Sequence, residues 1–196
     1  MKKSLVLLLL VGFVVACQPD GSKQAEETPD AFEAETFLTM EQGKAVAGAA
    51  FAALSKQLGA HMQSGGVPEA INYCSVAALP LTDSLSAAHG VTIKRTALRL
   101  RNPKNAPTSE ERAMLEKYEH MISTGNTPNP VLTQNAQGEW RYFQPILLMP
   151  LCSKCHGDVD SEIAPADLAL IREAYPADEA VNFEAGSLRG IWSLTF

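Results

Sequence analysis

Residues 152 to 156 read Cys-Ser-Lys-Cys-His. A Cys-x-x-Cys-His run is the attachment spacing of a c-type haem. Each thiol adds across one vinyl group, and the two intervening residues set the sulfurs under the two vinyls. The adjacent imidazole then reaches one face of the iron. Two other chemistries use such a pair. A structural zinc wants four ligands, commonly with a second pair of this kind, and the chain has none. A thioredoxin-like dithiol wants a βαβ setting, which the surrounding sequence does not supply. One motif therefore predicts one covalent haem c, held by Cys152 and Cys155, with His156 on the iron.

The remaining cysteines raise a second question. The chain has four. Cys74, in the stretch EAINYCSVAALP, has no covalent partner in view, and His156 fills only one of two axial positions. A thiolate carried on a helix can close the far face of the haem. Met149, Met62, His61, His89 and His120 compete with it, although Met149 stands so near the motif that the opposite face is hard to reach. Most free cysteines pack as small apolar residues, so spacing alone leaves Cys74 open between packing and ligation. Arg95, Arg99 and Arg101 are candidate partners for the haem propionates, because a guanidinium grips a carboxylate bidentately. Arg101 is the first choice because it opens the loop RNPKNAP. The competing reading makes all three strand-end surface charges.

The ends of the chain speak of place. MKKSLVLLLLVGFVVAC has a basic start and an apolar run too short for a mature span, which needs about 20 residues. It reads as a secretory signal over residues 1–16. Val14-Val15-Ala16-Cys17 has the form of a bacterial lipobox, which predicts lipidation of Cys17 and a membrane anchor. Gln18 after the cysteine hints at the outer membrane of a two-membrane cell. Removing Lys2 and Lys3 takes the formal charge from −6 to about −8, a balance that excludes nucleic acid as a partner. Residues 17–32 are polar, with Pro and Gly, and read as a tether. Residues 33–196 are enough for one domain with its own core.

The elements that must position the chemistry follow from periodicity. A helix is expected from Glu33 to Gln63, stopped by Gly65-Gly66, and a second from Val67 to Ala88, bent at Pro80. Val91 to Leu98 alternates as a strand with Val91, Ile93, Arg95 and Ala97 on one face. Thr108 and Glu111 form a capping box for a helix over Ser109 to Ser123. Val131 to Gln134 and Glu139 to Leu148 are expected to pair around a turn at 135–138. A helix near Pro165 to Tyr175 and a strand from Leu188 to Phe196 complete the order. Helices early and hairpin-like strands late predict an α+β fold with an antiparallel sheet.

Several stretches together carry a resemblance. EAINYCSVAALPLTDSL, IKRTALRLRNPKNAPTSEERAMLEKYE, LCSKCHG and AYPADEAVNFEAGSLRGIWSLTF resemble one family in order over about residues 40 to 196. It is the single-haem c-type domain family, once catalogued as a domain of unknown function, known from a cyanobacterial haem protein. The resemblance implies a PAS-like sheet with long N-terminal helices around one haem. It also implies axial ligation by the motif histidine and a cysteine thiolate, here His156 and Cys74. The chain reads Ala97 where the family pattern has Ser, which puts any hydroxyl contact there in doubt.

The expected function is electron transfer at low potential or redox sensing outside the cytoplasm, with an unidentified redox protein as partner. A thiolate ligand favours ferric iron. The alternative is a CO or NO sensor working through a separate partner. An enzyme such as a peroxidase is not expected, since the sequence offers no acid–base residue over an open iron face. Monomer and homodimer both remain open.

Overall fold

The computed structural model describes residues 30–196. The expected signal peptide, the lipidation site Cys17 and nearly all of the tether lie outside the described residues. Helix α1 runs Ala31–His89, so it begins two residues inside the expected tether. Asp30 caps it, its carboxylate accepting from the Glu33 N–H. The expected pair of helices is present as two arms of α1, separated at Gly65 and Gly66. Gly66 adopts φ 70° and ψ −156°, a conformation open to glycine and strained for other residues. Pro80 does not break the second arm: the backbone around it stays helical. Val76, whose carbonyl Pro80 leaves without a donor, is 76% exposed, so water can take the place of the missing N–H.

The remaining elements are β1 (Thr92–Thr96), α2 (Ser109–Ser123), β2 (Val131–Gln134), β3 (Trp140–Leu147), α3 (Ser153–His156), α4 (Pro165–Ala174) and β4 (Leu188–Thr195). The strands make one antiparallel sheet in the order β1-β4-β3-β2. The fold is α+β. Pro145 lies in β3 beyond Phe143, the last β3 residue paired with β2, so its missing N–H is on an open edge. The capping box of α2 forms as the sequence predicts, with Thr108 and Glu111 bonding each other's backbone N–H.

Each face of the sheet carries a helix. The first arm of α1 packs Val46, Ala47 and Ala50 against Tyr142, Trp192 and Leu194. Gly43 lies so close to the Tyr142 ring that a Cβ there would sit 2.5 Å from its carbons. On the other face, Leu115 and Tyr118 of α2 meet Phe143, Leu188 and Ile191. A third cluster joins Ile71 on the second arm to Ile163 and Ile171. The two arms, the sheet and the motif segment enclose a cavity.

Candidate haem site

Strand alternation aims the first site residues. In and beside β1, Val91 and Ile93 go into the core against α1, and Arg95 and Ala97 reach the cavity. Cys74 enters from the second arm of α1, half-buried, and Cys152, Cys155 and His156 enter from α3 and the turn before it. Cys74, Cys152, Cys155, His156, Arg95 and Arg101 thus line one cavity of about 250 Å³. An apolar cavity of about 150 Å³ already admits benzene. Its walls are largely aliphatic, including Leu54, Leu58, Met62, Ile71 and Leu148. Part of this apolar lining faces outward: Met149 is 43% and Leu151 53% exposed.

The structure sorts the competing donors. Met62 and Met149 line the cavity with Cys74. His61 does not. Its Nδ1 is 3.2 Å from Glu69 Oε1, and its ring stacks on Tyr73 at 4.2 Å, so it bridges the glycine break. His89 closes α1 and His120 lies in the last turn of α2, both away from the cavity lining.

His156 is held for ligation. Its Nδ1 lies 2.7 Å from the Ala180 carbonyl and 3.0 Å from Arg101 Nη2; the shorter contact is to an acceptor, and with the proton on Nδ1 the Nε2 lone pair is left for a metal. Burial, with Arg189 and Arg101 nearby, holds the imidazole well below its ordinary pKa, so the ring is neutral. Burial likewise raises the Cys74 thiol, while Arg95 and Arg101 pull it back toward the thiolate. Burial pushes the Cys155 thiol up to about 11, against the pull of Arg101.

The three predicted arginines take different places. Arg95 rests over the Trp192 ring, 5.8 Å from its centroid. Arg101 is committed: its Nε pairs with Asp178 at 3.0 Å, and its Nη2 donates to the carbonyls of Ala180 and Cys155. Arg99 is outside the cavity lining. It stacks on Phe183 at 3.6 Å and donates to the carbonyls of Val181 and Asn182.

Two lining residues escaped the sequence reading, Tyr175 and Arg189. Regular alternation along β4 would put Arg189 on the face opposite Trp192. The ladder slips there: Ile146 pairs with Gly190 and Leu147 with Leu188, which leaves Arg189 as an extra residue. Such a bulge re-aims a side chain, and Arg189 and Gly190 both end on the cavity wall. Gly190 is required where it stands, because a Cβ would collide with the Thr96 carbonyl. The Arg-Gly pair was the available signal, though it does not announce a bulge.

These residues fit a haem. Two thiols and an imidazole come from one short segment. A third thiol stands in the same mostly apolar cavity, with guanidiniums in its wall. Among the described residues, no three His, Cys, Asp or Glu side chains gather as a metal cluster of their own.

A model of the Tll0287-like family matches residues 22–196. Among solved structures, the cyanobacterial haem protein Tll0287 is similar at 28% identity, with a TM-score of 0.50 over 60% of this chain and 70% of that one. No curated protein matches the chain. The chain belongs to the Tll0287-like family.

Proposed function

We propose that the chain carries one covalent haem c with His156 and Cys74 as axial ligands, and that it serves low-potential electron transfer or redox sensing outside the cytoplasm. The observation that carries this reading is the meeting of Cys74 with Cys152, Cys155 and His156 in one cavity, although 77 residues lie between Cys74 and Cys152. The haem would supply a one-electron ferric/ferrous couple. Cys152 and Cys155 anchor it through thioethers. His156 offers Nε2, oriented by the Ala180 carbonyl. Cys74 gives up its proton and offers a thiolate, which Arg95 and Arg101 favour. The aliphatic walls keep water away.

An anionic sulfur stabilises the ferric state more than a neutral thioether does, so the potential is low. A tenfold bias in a one-electron equilibrium corresponds to about 59 mV. With both axial positions filled, the site is a carrier or sensor and not a peroxidase. The basic, apolar start and the Val14-Val15-Ala16-Cys17 motif support a lipid-anchored protein of the cell envelope, working with a redox protein. A redox titration of the purified protein tests the reading. A midpoint below the standard hydrogen electrode agrees with it, and one clearly above contradicts it.

A second reading draws on Leu54, Leu58 and Met62, which share the cavity with Cys74. Should the sulfur release reduced iron, this apolar space would admit CO or NO, and the protein would signal gas through a separate partner. Reduced protein that binds neither gas rules this out.

A further inference from the structure

We infer that Arg95 and Arg189 seat the two propionate carboxylates of the haem, and that Arg101 is a positioning residue for His156. The inference rests on the haem reading above and assigns the acidic edge of that group.

Three guanidiniums line the cavity, those of Arg95, Arg101 and Arg189, and no carboxylate lines it with them. Asp178, 4% exposed, is taken by Arg101 at 3.0 Å. Arg101 Nη2 also donates to Ala180 and Cys155, the first of which is the carbonyl that accepts from His156. Arg101 thereby ties the motif helix to the segment that orients the imidazole, with its Nε and Nη2 engaged by protein groups.

Arg95 and Arg189 are the reverse case. Arg95 has Trp192 beneath it and, among the described residues, no carboxylate partner. Arg189 Nε is buried without an acceptor, and Nη1 has only the Arg99 carbonyl at 3.3 Å. Arg101 Nε also lacks a well-angled hydrogen bond, but it has the Asp178 carboxylate at 3.0 Å, and Arg189 has no carboxylate at ion-pair distance among the described residues. Burial, with Arg95 and Arg101 alongside, lowers the Arg189 guanidinium to about 9. Two half-buried cations without a paired carboxylate are costly until anions arrive. A haem brings two carboxylates on one edge, which matches the number of unpaired guanidiniums. The bulge at Arg189 has a purpose on this account: it turns onto the cavity a cation that regular pairing would send to the far face.

The test uses haem-loaded full-length protein and resonance Raman bands of propionate bending, beside pyridine haemochrome content and ferric EPR. Arg95→Gln and Arg189→Gln each shift a propionate band to lower frequency, and the double variant shifts both. Arg101→Gln leaves the propionate bands in place and alters the g values. If Arg189→Gln does not fold, Arg189→Lys keeps the charge and gives a smaller shift of the same band. Bands that move in Arg101→Gln and stay fixed in the other two overturn this inference alone. Wild-type protein without covalent haem overturns the haem reading and this inference with it.

Discussion

Arg101 and Asp178 form an ion pair at 3.0 Å, with the carboxylate 4% and the guanidinium 12% exposed. Asp178 also accepts from the Ala180 N–H at 2.8 Å, so one carboxylate holds both the arginine and the backbone that faces His156. Asp178→Asn leaves a buried cation without its anion, a change that costs about 3 kcal/mol. We predict a lower melting temperature and, in haem-loaded protein, a mixture of low-spin ferric species as the imidazole loses its fixed orientation. Thermal melts and EPR of the variant check the two effects separately.

Acid stability depends on a second buried carboxylate. Burial alone would raise the Glu111 carboxyl, but bonds from Lys94, the Thr108 N–H and Ser193 outweigh it and hold the group below its ordinary range. Lys94 Nζ is 2.7 Å away and Arg141 adds a longer contact at 3.6 Å. The folded pKa lies below the unfolded one. The stabilisation is therefore complete above the unfolded value of about 4.3 and is lost as pH falls through the folded value. Urea unfolding across this range shows a steep acid limb in wild type. Glu111→Gln lowers stability at neutral pH by about 2 kcal/mol and flattens the limb.

These two carboxylates differ in how far the sequence announces them. Thr108 and Glu111 sit at capping-box spacing just before a helical pattern, so local chemistry sufficed, and α2 has the expected bounds. The hairpin around 135–138 and the final strand were legible for the same reason, since alternation and turn residues act over a few positions. The motif Cys152-Ser153-Lys154-Cys155-His156 is equally local. Contacts set by tertiary register were not legible. Asp178 as the partner of Arg101 depends on a loop 77 residues downstream. Arg189 depends on a slip in the β3–β4 ladder that no alternation rule anticipates. Arg99, placed by sequence beside the haem edge, is drawn instead to carbonyls of residues 181 and 182.

The slip itself is testable at its glycine. A methyl group at residue 190 would collide with the Thr96 carbonyl and come within 3.2 Å of Ala97 Cβ. Backbone cannot yield as a side-chain tip does, and overpacking of this kind costs about 1–3 kcal/mol. Gly190→Ala is expected to lower stability by that amount in chemical denaturation. It also displaces Arg189, so the propionate bands move although no arginine has been changed.

The covalent link has a direct chemical readout. Cys152→Ala and Cys155→Ala each leave one thioether, and the double variant leaves none. Intact mass after acid–acetone extraction should show haem on wild type and none on the double variant. Haem retained through extraction by the double variant would contradict attachment at these two thiols.

Low-temperature EPR of purified ferric protein, beside Cys74→Ala, tests the central claim most directly. The account predicts a low-spin signal with the narrow g-spread of thiolate ligation in wild type, lost in the variant. A wide signal of bis-imidazole or imidazole–thioether type, identical in both proteins, would make Cys74 a packing residue and contradict the account.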